Sequence, residues 1–287
     1  QDRERWRPAY LLDEGGFAIR SFMNETDLVV VATSQKRGSR LRITALGEAG
    51  HGSRPIPNGG PTILARALTR LVDNPAPMRL GPTTRQTFER LGDMAGGVQG
   101  FLLKRLDWPG VLGLLESTLS DNENLNPMLR DTVTPTILRA GQKINVIPAE
   151  AVAELDVRLL PGTDADAFVE RIRALLDDLP VEVELIRAVD APYPPSPTDD
   201  PLFTSLSAAV RAHRPGAVVA PWLMVGINDS RFFAAEGVRT YGFNPAFLLD
   251  AFKVIDDDRL TIEMKAPNKP GVVKVGTDFV YVVMPVN

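Results

Sequence analysis

The sequence predicts an α/β protein with an inserted α+β domain of ferredoxin-like topology. Two observations support this prediction. The predicted elements between residues 40 and 188 follow the order β-α-(insert)-β-β-α-β, and α/β segments flank that region on both sides. Such an order forms a four-stranded antiparallel sheet with two helices on one face. We therefore expect the chain to leave one α/β domain near residue 40 and to re-enter it near residue 200.

The first strands lie between residues 28 and 46. The run from Leu28 to Ala32 is continuously apolar, which is typical of a strand buried on both faces. The next run alternates, so that one face carries Leu41, Ile43 and Ala45. The intervening "QKRG" predicts a turn.

The following elements complete the inserted domain. A helix with Pro61 in its first turn follows residue 60, and residues 75–130 are predicted as a mostly helical insert. Strands are expected within 132–141 and 149–162, then a helix capped by Thr163 and a final alternating strand, "VEVELIRA". The proline-rich stretch 190–201 predicts a linker, followed by a helix over 200–213.

Composition excludes several classes of function. The chain has 287 residues, a formal charge of -4, no cysteine and two histidines. Disulfides, thiolate metal sites and cysteine nucleophiles are thereby excluded, and no basic patch indicates nucleic-acid binding. No run is long and apolar enough to span a bilayer, so no membrane partner is expected. The chain opens on Gln1, without a signal-peptide pattern, which indicates processing, trimming or a fragment.

Three polar residues are candidates for function. Asp13, with Glu14, follows an apolar strand end and precedes two glycines; it is either a site carboxylate at a strand terminus or part of a solvated acidic turn. His51 has no second ligand or acid nearby in sequence, which disfavours a metal ligand or a base and leaves a hydrogen-bond donor to an oxyanion, or a loop histidine that merely hydrogen-bonds. His213 ends a helical run, where its role is structural.

Five segments in order carry a family resemblance: "LLDEGG", "GEAGHGSRP", "AGQKINVIPAEAVAELDVRLLPG", "GINDSRFF" and "YGFNP". Together they resemble the zinc-dependent aminoacylase/carboxypeptidase family of metallopeptidases, most closely its carboxypeptidase S and Gly-Xaa carboxypeptidase branch. The resemblance spans roughly residues 8–250. It implies a zinc-exopeptidase-like catalytic α/β domain holding two zinc ions, and an inserted ferredoxin-like lid that forms a homodimer.

The resemblance also implies roles for single residues. Asp13 matches a zinc-binding carboxylate, and His51 matches a lid histidine that stabilises the oxyanion in a neighbouring active site. Asn145 matches a lid residue near the substrate, Arg231 a residue that holds the substrate's free carboxylate, and Gly242 a loop lining the pocket. The implied substrate is a small peptide or an N-acyl amino acid, whose amide bond is hydrolysed.

The implied domains follow the predicted elements. Residues 1–39 and 190–250 are expected to form catalytic-domain segments, and residues 40–189 the lid with the insert 75–130. Residues 251–287 form a β-rich tail of uncertain origin, which is similar to the end of an immunoglobulin-like TIG domain or is an irregular hairpin. The compartment, cytoplasmic or exported, is left open.

The sequence departs from the family at its metal ligands. The first zinc histidine, the bridging aspartate and the paired glutamates would precede Asp13, and no histidine follows "YGFNPAFLLD". Because a catalytic zinc takes about three protein ligands, we expect these 287 residues alone to bind zinc poorly or not at all and not to be a competent hydrolase. Two alternatives remain: a non-catalytic homologue that serves as a dimerisation or ligand-binding module, and a C-terminal β module, binding carbohydrate or protein, on a degenerate scaffold.

Overall fold

The computed structural model describes residues 8–187 and 192–243, together with the backbone of three later strands. The chain divides into two compact units. Unit 1 comprises Gln1–Lys36, Leu80–Met128 and Pro192–Asn287, and unit 2 comprises Arg37–Arg79 and Leu129–Ala191. The final zinc histidine expected by family resemblance would fall near residues 244–260, which lie outside the described residues, as does the start of the predicted linker at residues 190–191.

The elements are numbered along the chain. The strands are β1 (Tyr10–Asp13), β2 (Phe17–Met23), β3 (Thr26–Gln35), β4 (Arg37–Leu46), β5 (Gly50–His51), β6 (Thr132–Ala140), β7 (Val146–Ile147), β8 (Glu150–Leu159), β9 (Val181–Arg187), β10 (Val218–Met224), β11 (Arg239–Gly242), β12 (Thr261–Met264), β13 (Gly271–Val275) and β14 (Phe279–Val283). The helices are α1 (Gly60–Asp73), α2 (Pro82–Ala95), α3 (Gly97–Leu103), α4 (Val111–Ser120), α5 (Asn126–Leu129), α6 (Ala165–Leu175), α7 (Pro201–His213) and α8 (Ser230–Ala235).

Unit 2 has the predicted ferredoxin-like topology. Its four strands lie in the order β6-β8-β4-β9, and every neighbouring pair is antiparallel. The alternating face of β4 packs with β8, α1 and α6 in one core, whose members include Leu41, Ile43, Leu155, Phe168 and Ile172. Burying each of these side chains contributes about 1.5–3 kcal/mol. The predicted inserted domain is therefore confirmed in its element order and in its sheet.

Unit 1 is built on a mixed sheet in the order β10-β3-β11-β1-β14-β13-β12, with β2 pairing β3. The pairs β10–β3, β1–β11 and β1–β14 are parallel, and β11 meets β3 antiparallel at Gly242 and Ala32. The strand predicted over Leu28–Ala32 is buried throughout. Apolar residues of β1, β3, β10, β11 and α7 share one core.

The helical segment 80–128 belongs to unit 1, whereas we expected it to lie within the inserted domain. Its first helix, α2, packs on β10, and the hydroxyl of Thr87 donates a hydrogen bond of 2.7 Å to the carbonyl of Pro221. The side chains of Phe88 and Leu91 are buried in the same segment. This packing joins residues distant in sequence, so local periodicity could not reveal it.

Two local predictions were wrong. The expected turn at "QKRG" is absent from the described chain, because Gln35 ends β3 and Arg37 begins β4 with only Lys36 between them. Thr163 does not cap α6; the side chain of Asp164 accepts hydrogen bonds from the N–H groups of Asp166 and Ala167 instead. A carboxylate is a stronger acceptor than a hydroxyl for these N-terminal donors. The hydroxyl of Thr163 is used elsewhere, as a donor to Asp131 at 2.8 Å.

The tail contributes three antiparallel strands to the sheet of unit 1. β12 pairs with β13, β13 pairs with β14, and β14 lies parallel to β1. The β-rich prediction for residues 251–287 thus agrees with the described strands, while a TIG-like origin stays a prediction. Within the described residues, every helix is too short or too polar to cross a lipid bilayer.

Candidate functional site

The carboxyl ends of β1 and β11 meet in unit 1. These parallel strands pair in a register that sets Asp13 beside Gly242, and the N–H of Phe243 donates a 2.8 Å hydrogen bond to the carbonyl of Asp13. The carboxyl ends of parallel strands are where open α/β sheets form ligand sites. Two of the predicted site residues, Asp13 and Gly242, are therefore neighbours in the fold although they lie far apart in sequence.

Close backbone packing explains the glycines at this edge. A Cβ atom at Gly242 would lie 2.5 Å from the carbonyl oxygen of Glu14, and one at Gly16 would lie 2.7 Å from the carbonyl oxygen of Gly242. Both distances are shorter than real Cβ contacts allow. A side chain at either position would push the β1 loop away from β11, which would displace Asp13.

Asp13 is a buried carboxylate. Its side chain is 2% exposed; Oδ1 accepts from the N–H of Glu14 at 2.8 Å, and Oδ2 accepts from the N–H of Ser230 at 2.8 Å. Burial raises the pKa of Asp13 above its ordinary value, and the two backbone hydrogen bonds oppose that rise. The interpretation of Asp13 as part of a solvated acidic turn is therefore wrong, although Glu14 itself is exposed.

A buried polar loop holds this carboxylate, and the loop was missed as a site element. Gln35, Asn228 and Ser230 are each at most 7% exposed and are joined by hydrogen bonds. They line a small cavity with Thr33, Tyr193, Met224, Thr240 and Gly242. The "GINDSRFF" segment was singled out for its arginine alone. Buried amides at the end of a strand were the available signal, but burial cannot be read from sequence.

Arg231 follows the same loop and starts the short helix α8. Its Nη1 atom donates to the carbonyl of Asn228 at 2.8 Å, and its guanidinium carbon lies 4.2 Å from the centre of the Phe232 ring. The side chain is half-buried. A guanidinium held on one edge and stacked on one face is ordered in a way that suits bidentate binding of a carboxylate.

Unit 2 brings together the two predicted lid residues. The short strands β5 and β7 pair antiparallel, with His51 opposite Val146, and the N–H of Gly52 donates to the carbonyl of Asn145 at 2.9 Å. His51 and Asn145 are both exposed. The sequence-distant strings "GHGS" and "NVIP" thus form a single small polar surface of the lid.

The ring of His51 is oriented by the turn that follows it. Its Nδ1 atom accepts from the N–H of Ser53 at 3.2 Å and lies 2.8 Å from the hydroxyl oxygen of Ser53. Since Nδ1 is an acceptor, the neutral ring carries its proton on Nε2. Within the described part of the chain, Nε2 makes no hydrogen bond and no carboxylate pairs with the ring. This geometry provides an outward N–H donor.

The described residues do not by themselves fit a zinc site. They contain no group of three or more His, Cys, Asp or Glu residues that could hold a metal ion. Asp13 could donate one carboxylate, because each oxygen uses only one of its lone pairs on a backbone N–H. A catalytic zinc needs about three protein ligands, so this carboxylate could form only part of such a site.

The candidate residues thus fall into two groups. Asp13, Arg231 and Gly242 lie together in unit 1, and His51 and Asn145 lie together in unit 2. His213 is the last residue of α7, as predicted for a structural position.

Comparison with known proteins identifies the family. Residues 33–184, more than half of the chain, match the M20 peptidase dimerisation domain. The N-fatty-acyl-amino acid synthase/hydrolase PM20D1 of Homo sapiens is 30% identical over 247 residues, covering 84% of this chain and 48% of that protein. The probable carboxypeptidase S-like 2 of Dictyostelium discoideum is 30% identical over 228 residues, covering 78% and 43%.

A third relative is more distant. Aminoacylase-1 of Mus musculus is 24% identical over 243 residues, covering 83% of this chain and 50% of that protein. The chain therefore spans about half the length of the curated relatives it matches. All three relatives are amidohydrolases or peptidases of one family, in agreement with the resemblance carried by the sequence motifs. Because a domain profile and full-length relatives agree over most of its length, this chain belongs to the M20 peptidase family.

Proposed function

We propose that this protein takes part in hydrolysing the amide bond of N-acyl amino acids or dipeptides that carry a free C-terminal carboxylate. The observation that carries the proposal is the loop that follows β10: it presents Arg231, half-buried and ordered, and donates a backbone N–H to the buried carboxylate of Asp13. The named activities of PM20D1, carboxypeptidase S-like 2 and aminoacylase-1 support the same class of substrate.

Each residue has a distinct role in the proposal. The guanidinium of Arg231 binds the substrate carboxylate, and Gly242 leaves room at the pocket wall. The Nε2–H of His51 donates to the oxyanion that develops on the scissile carbonyl, with Asn145 beside it in the lid. A fixed donor of this kind accelerates the reaction because it needs no reorganisation as charge develops.

Asp13 has the role of a metal ligand. Metallopeptidases of the M20 family generally use zinc, and a buried carboxylate with free lone pairs is a suitable ligand for it. The described residues supply this one ligand only. The proposal therefore gives Asp13 a share in a metal site and assigns no further step to the metal.

The lid is proposed to form a homodimer. Unit 2 coincides with most of the matched dimerisation domain, and the family resemblance has His51 acting on a neighbouring active site. An exposed His51 whose Nε2–H points outward is compatible with that arrangement.

The test compares an N-acyl amino acid with its methyl ester, using the full-length gene product supplied with zinc. Charge-assisted hydrogen bonds contribute about 1.5–3 kcal/mol, so Arg231→Gln should raise KM for the acid about 10- to 100-fold. The ester lacks the carboxylate and should be insensitive to the substitution. Arg90→Gln, an exposed position of α2, is the matched control. Equal hydrolysis of acid and ester by the wild-type protein would contradict the proposed specificity.

A second measurement concerns the 287 residues by themselves. We expect this polypeptide to bind no stoichiometric zinc and to release no amino acid from N-acyl substrates, because it offers too few ligands. Metal analysis after dialysis, together with an amidase assay, checks this. Stoichiometric zinc accompanied by turnover would overturn it. If the full-length product dimerises but shows neither zinc nor turnover, the non-catalytic alternative replaces the proposed activity.

A further inference from the structure

All four polar groups of Asn228 are engaged, each with a different part of the candidate site. Its N–H donates to Oε1 of Gln35 at 2.7 Å, and its Nδ2 donates to the carbonyl of Glu14 at 2.7 Å. Its Oδ1 accepts from Ser230, and its carbonyl accepts from Arg231. The residue is 6% exposed, so these bonds form with little competition from water.

The side chain of Asn228 acts toward Asp13 by two routes. Oδ1 accepts from the N–H of Ser230 at 3.2 Å, the same N–H that donates to Oδ2 of Asp13 at 2.8 Å. Nδ2 holds the carbonyl of Glu14, whose own N–H donates to Oδ1 of Asp13. Both oxygens of the Asp13 carboxylate are therefore bonded to groups that Asn228 restrains.

The backbone of Asn228 acts toward Arg231. Its carbonyl receives the Nη1 donor at 2.8 Å, while the Phe232 ring supports the face of the guanidinium. A shift of this carbonyl would rotate the guanidinium. The position of Arg231 is thus linked to the loop that also restrains Asp13.

Gln35 anchors this arrangement to the central sheet. Its carboxamide accepts from the N–H of Asn228 and donates from Nε2 to the hydroxyl of Ser230 at 3.3 Å. Gln35 is the last residue of β3 and is 4% exposed. The loop is therefore referenced to a strand that lies inside the sheet.

We propose that Asn228 is a positioning residue that couples the carboxylate of Asp13 to the guanidinium of Arg231, so that both are held in one arrangement. This inference rests on the proposed function, because it names the residue that aligns the carboxylate-binding group with the reacting end of the substrate. It predicts that disturbing Asn228 affects both groups at once. Geometry of this kind matters because displacement of a catalytic group by about 1 Å can cost about 100-fold in rate.

The kinetic test uses Asn228→Ala in the full-length gene product with the acid and ester substrates. We expect KM for the acid to rise about 10-fold or more and kcat for both substrates to fall about 100-fold. Arg231→Gln should affect the acid alone. A merely structural loss would reduce the amount of folded enzyme, which lowers the maximal rate and leaves KM unchanged. That pattern would overturn the proposal.

A second test needs no activity and uses the 287-residue chain. Amide hydrogen exchange followed by NMR should show that Asn228→Ala accelerates exchange about 10-fold or more at Glu14 and Ser230, with the amides of Val30 and Val31 in β3 unchanged. Asn228→Asp keeps the Oδ1 acceptor and removes the Nδ2 donor, so it should release Glu14 more than Ser230. Asn122→Ala is the control, because Asn122 organises another loop of unit 1 through its side chain.

The outcomes separate the two proposals. No change at Glu14 and Ser230, or equal acceleration throughout unit 1, rejects the positioning role. If the full-length protein shows no hydrolysis, the proposed function fails, while the exchange experiment still decides whether Asn228 links the two groups.

Discussion

At the scale of single residues, local hydrogen bonds decide what a side chain can offer. His51 is exposed, yet its ring is not free to choose a tautomer, because the N–H of Ser53 donates to Nδ1. The hydroxyl of Ser53 lies within hydrogen-bonding distance of the same atom. One serine two positions along the chain therefore keeps the Nε2–H available for donation.

We predict that Ser53→Ala weakens this tautomer preference. Loss of the hydroxyl donor should increase the population with the proton on Nδ1, while Ser53→Thr should retain the wild-type distribution. Nitrogen-15 NMR of the histidine ring, recorded at a pH where the ring is neutral, measures the two forms. An unchanged distribution in Ser53→Ala would show that the backbone N–H suffices.

Asp27 provides a pH-dependent contribution to stability. The N–H of Ser21 and then the guanidinium of Arg214 hold the pKa of Asp27 below its ordinary value. The unfolded chain then binds more protons than the folded chain in the window between the two values. The contribution is present above the ordinary pKa and is lost as the pH falls through the lowered one.

The expected result is a pH-dependent difference between the wild type and Asp27→Asn. The wild type should be the more stable protein at neutral pH, and the gap in melting temperature should shrink as the pH falls below about 4. Thermal unfolding across a pH series tests this. A gap that stays constant with pH would contradict the assignment to Asp27.

At the scale of elements, the insert is organised by a close crossing of α2 and α3. A Cβ at Gly92 would lie 2.7 Å from the carbonyl oxygen of Gly100, and a Cβ at Gly100 would meet the backbone of Gly92. Two facing glycines therefore allow the helix backbones to touch. Gly113 of α4, by contrast, has open space around its Cβ direction.

Gly100→Ala should destabilise unit 1 by about 1–3 kcal/mol, because the added methyl group must push two backbones apart. Gly113→Ala is the matched control and should stabilise by about 0.5–1 kcal/mol, since it gains helix propensity without a clash. Chemical denaturation of both variants gives the comparison. Equal effects of the two substitutions would rule out the close crossing as the cause.

At the scale of the whole molecule, the sheet of unit 2 leaves one strand suited to association. β6 pairs with β8 alone among the described strands, and it exposes Leu138 at 62%. An uncovered edge strand with apolar side chains is a template for pairing with another chain. The opposite edge, β9, carries the charged side chains of Glu182, Glu184 and Arg187.

We predict that the 287-residue chain dimerises through this edge and that Leu138→Lys weakens the dimer at least about fivefold in Kd. Light scattering coupled to size-exclusion chromatography over a concentration series measures the effect. Val72→Lys, an exposed apolar position on α1, is the control. A monomeric wild type, or equal weakening by both variants, would exclude β6 as the interface.

Much of the fold was predictable because its signals are local. The alternation of Leu41, Ile43 and Ala45 predicted a strand with one buried face, and these side chains are fully buried. Residues 80–128 were assigned to the wrong unit for the opposite reason. The helices themselves were expected, but α2 packs on β10, a strand far along the chain.

The candidate site divides in the same way. Motif resemblance named Asp13, His51, Asn145, Arg231 and Gly242, and the roles assigned to them stay proposals. Asn228 and Gln35 were not predicted, since an amide is informative only once its burial and partners are known. Asn228 and Gln35 lie 193 positions apart in sequence, so only the folded sheet joins them.

By itself, the sequence determined the order of elements, the inserted topology and the family, because periodic apolar patterns and ordered motifs are properties of short segments. Only the tertiary structure decided that Asp13 is buried, that Gly242 lies beside it and that the N–H of Ser230, 217 positions away, bonds to its carboxylate. The physical reason is strand pairing: the register of β1 against β11 is set by burial and hydrogen bonding across the whole sheet, which no local pattern encodes.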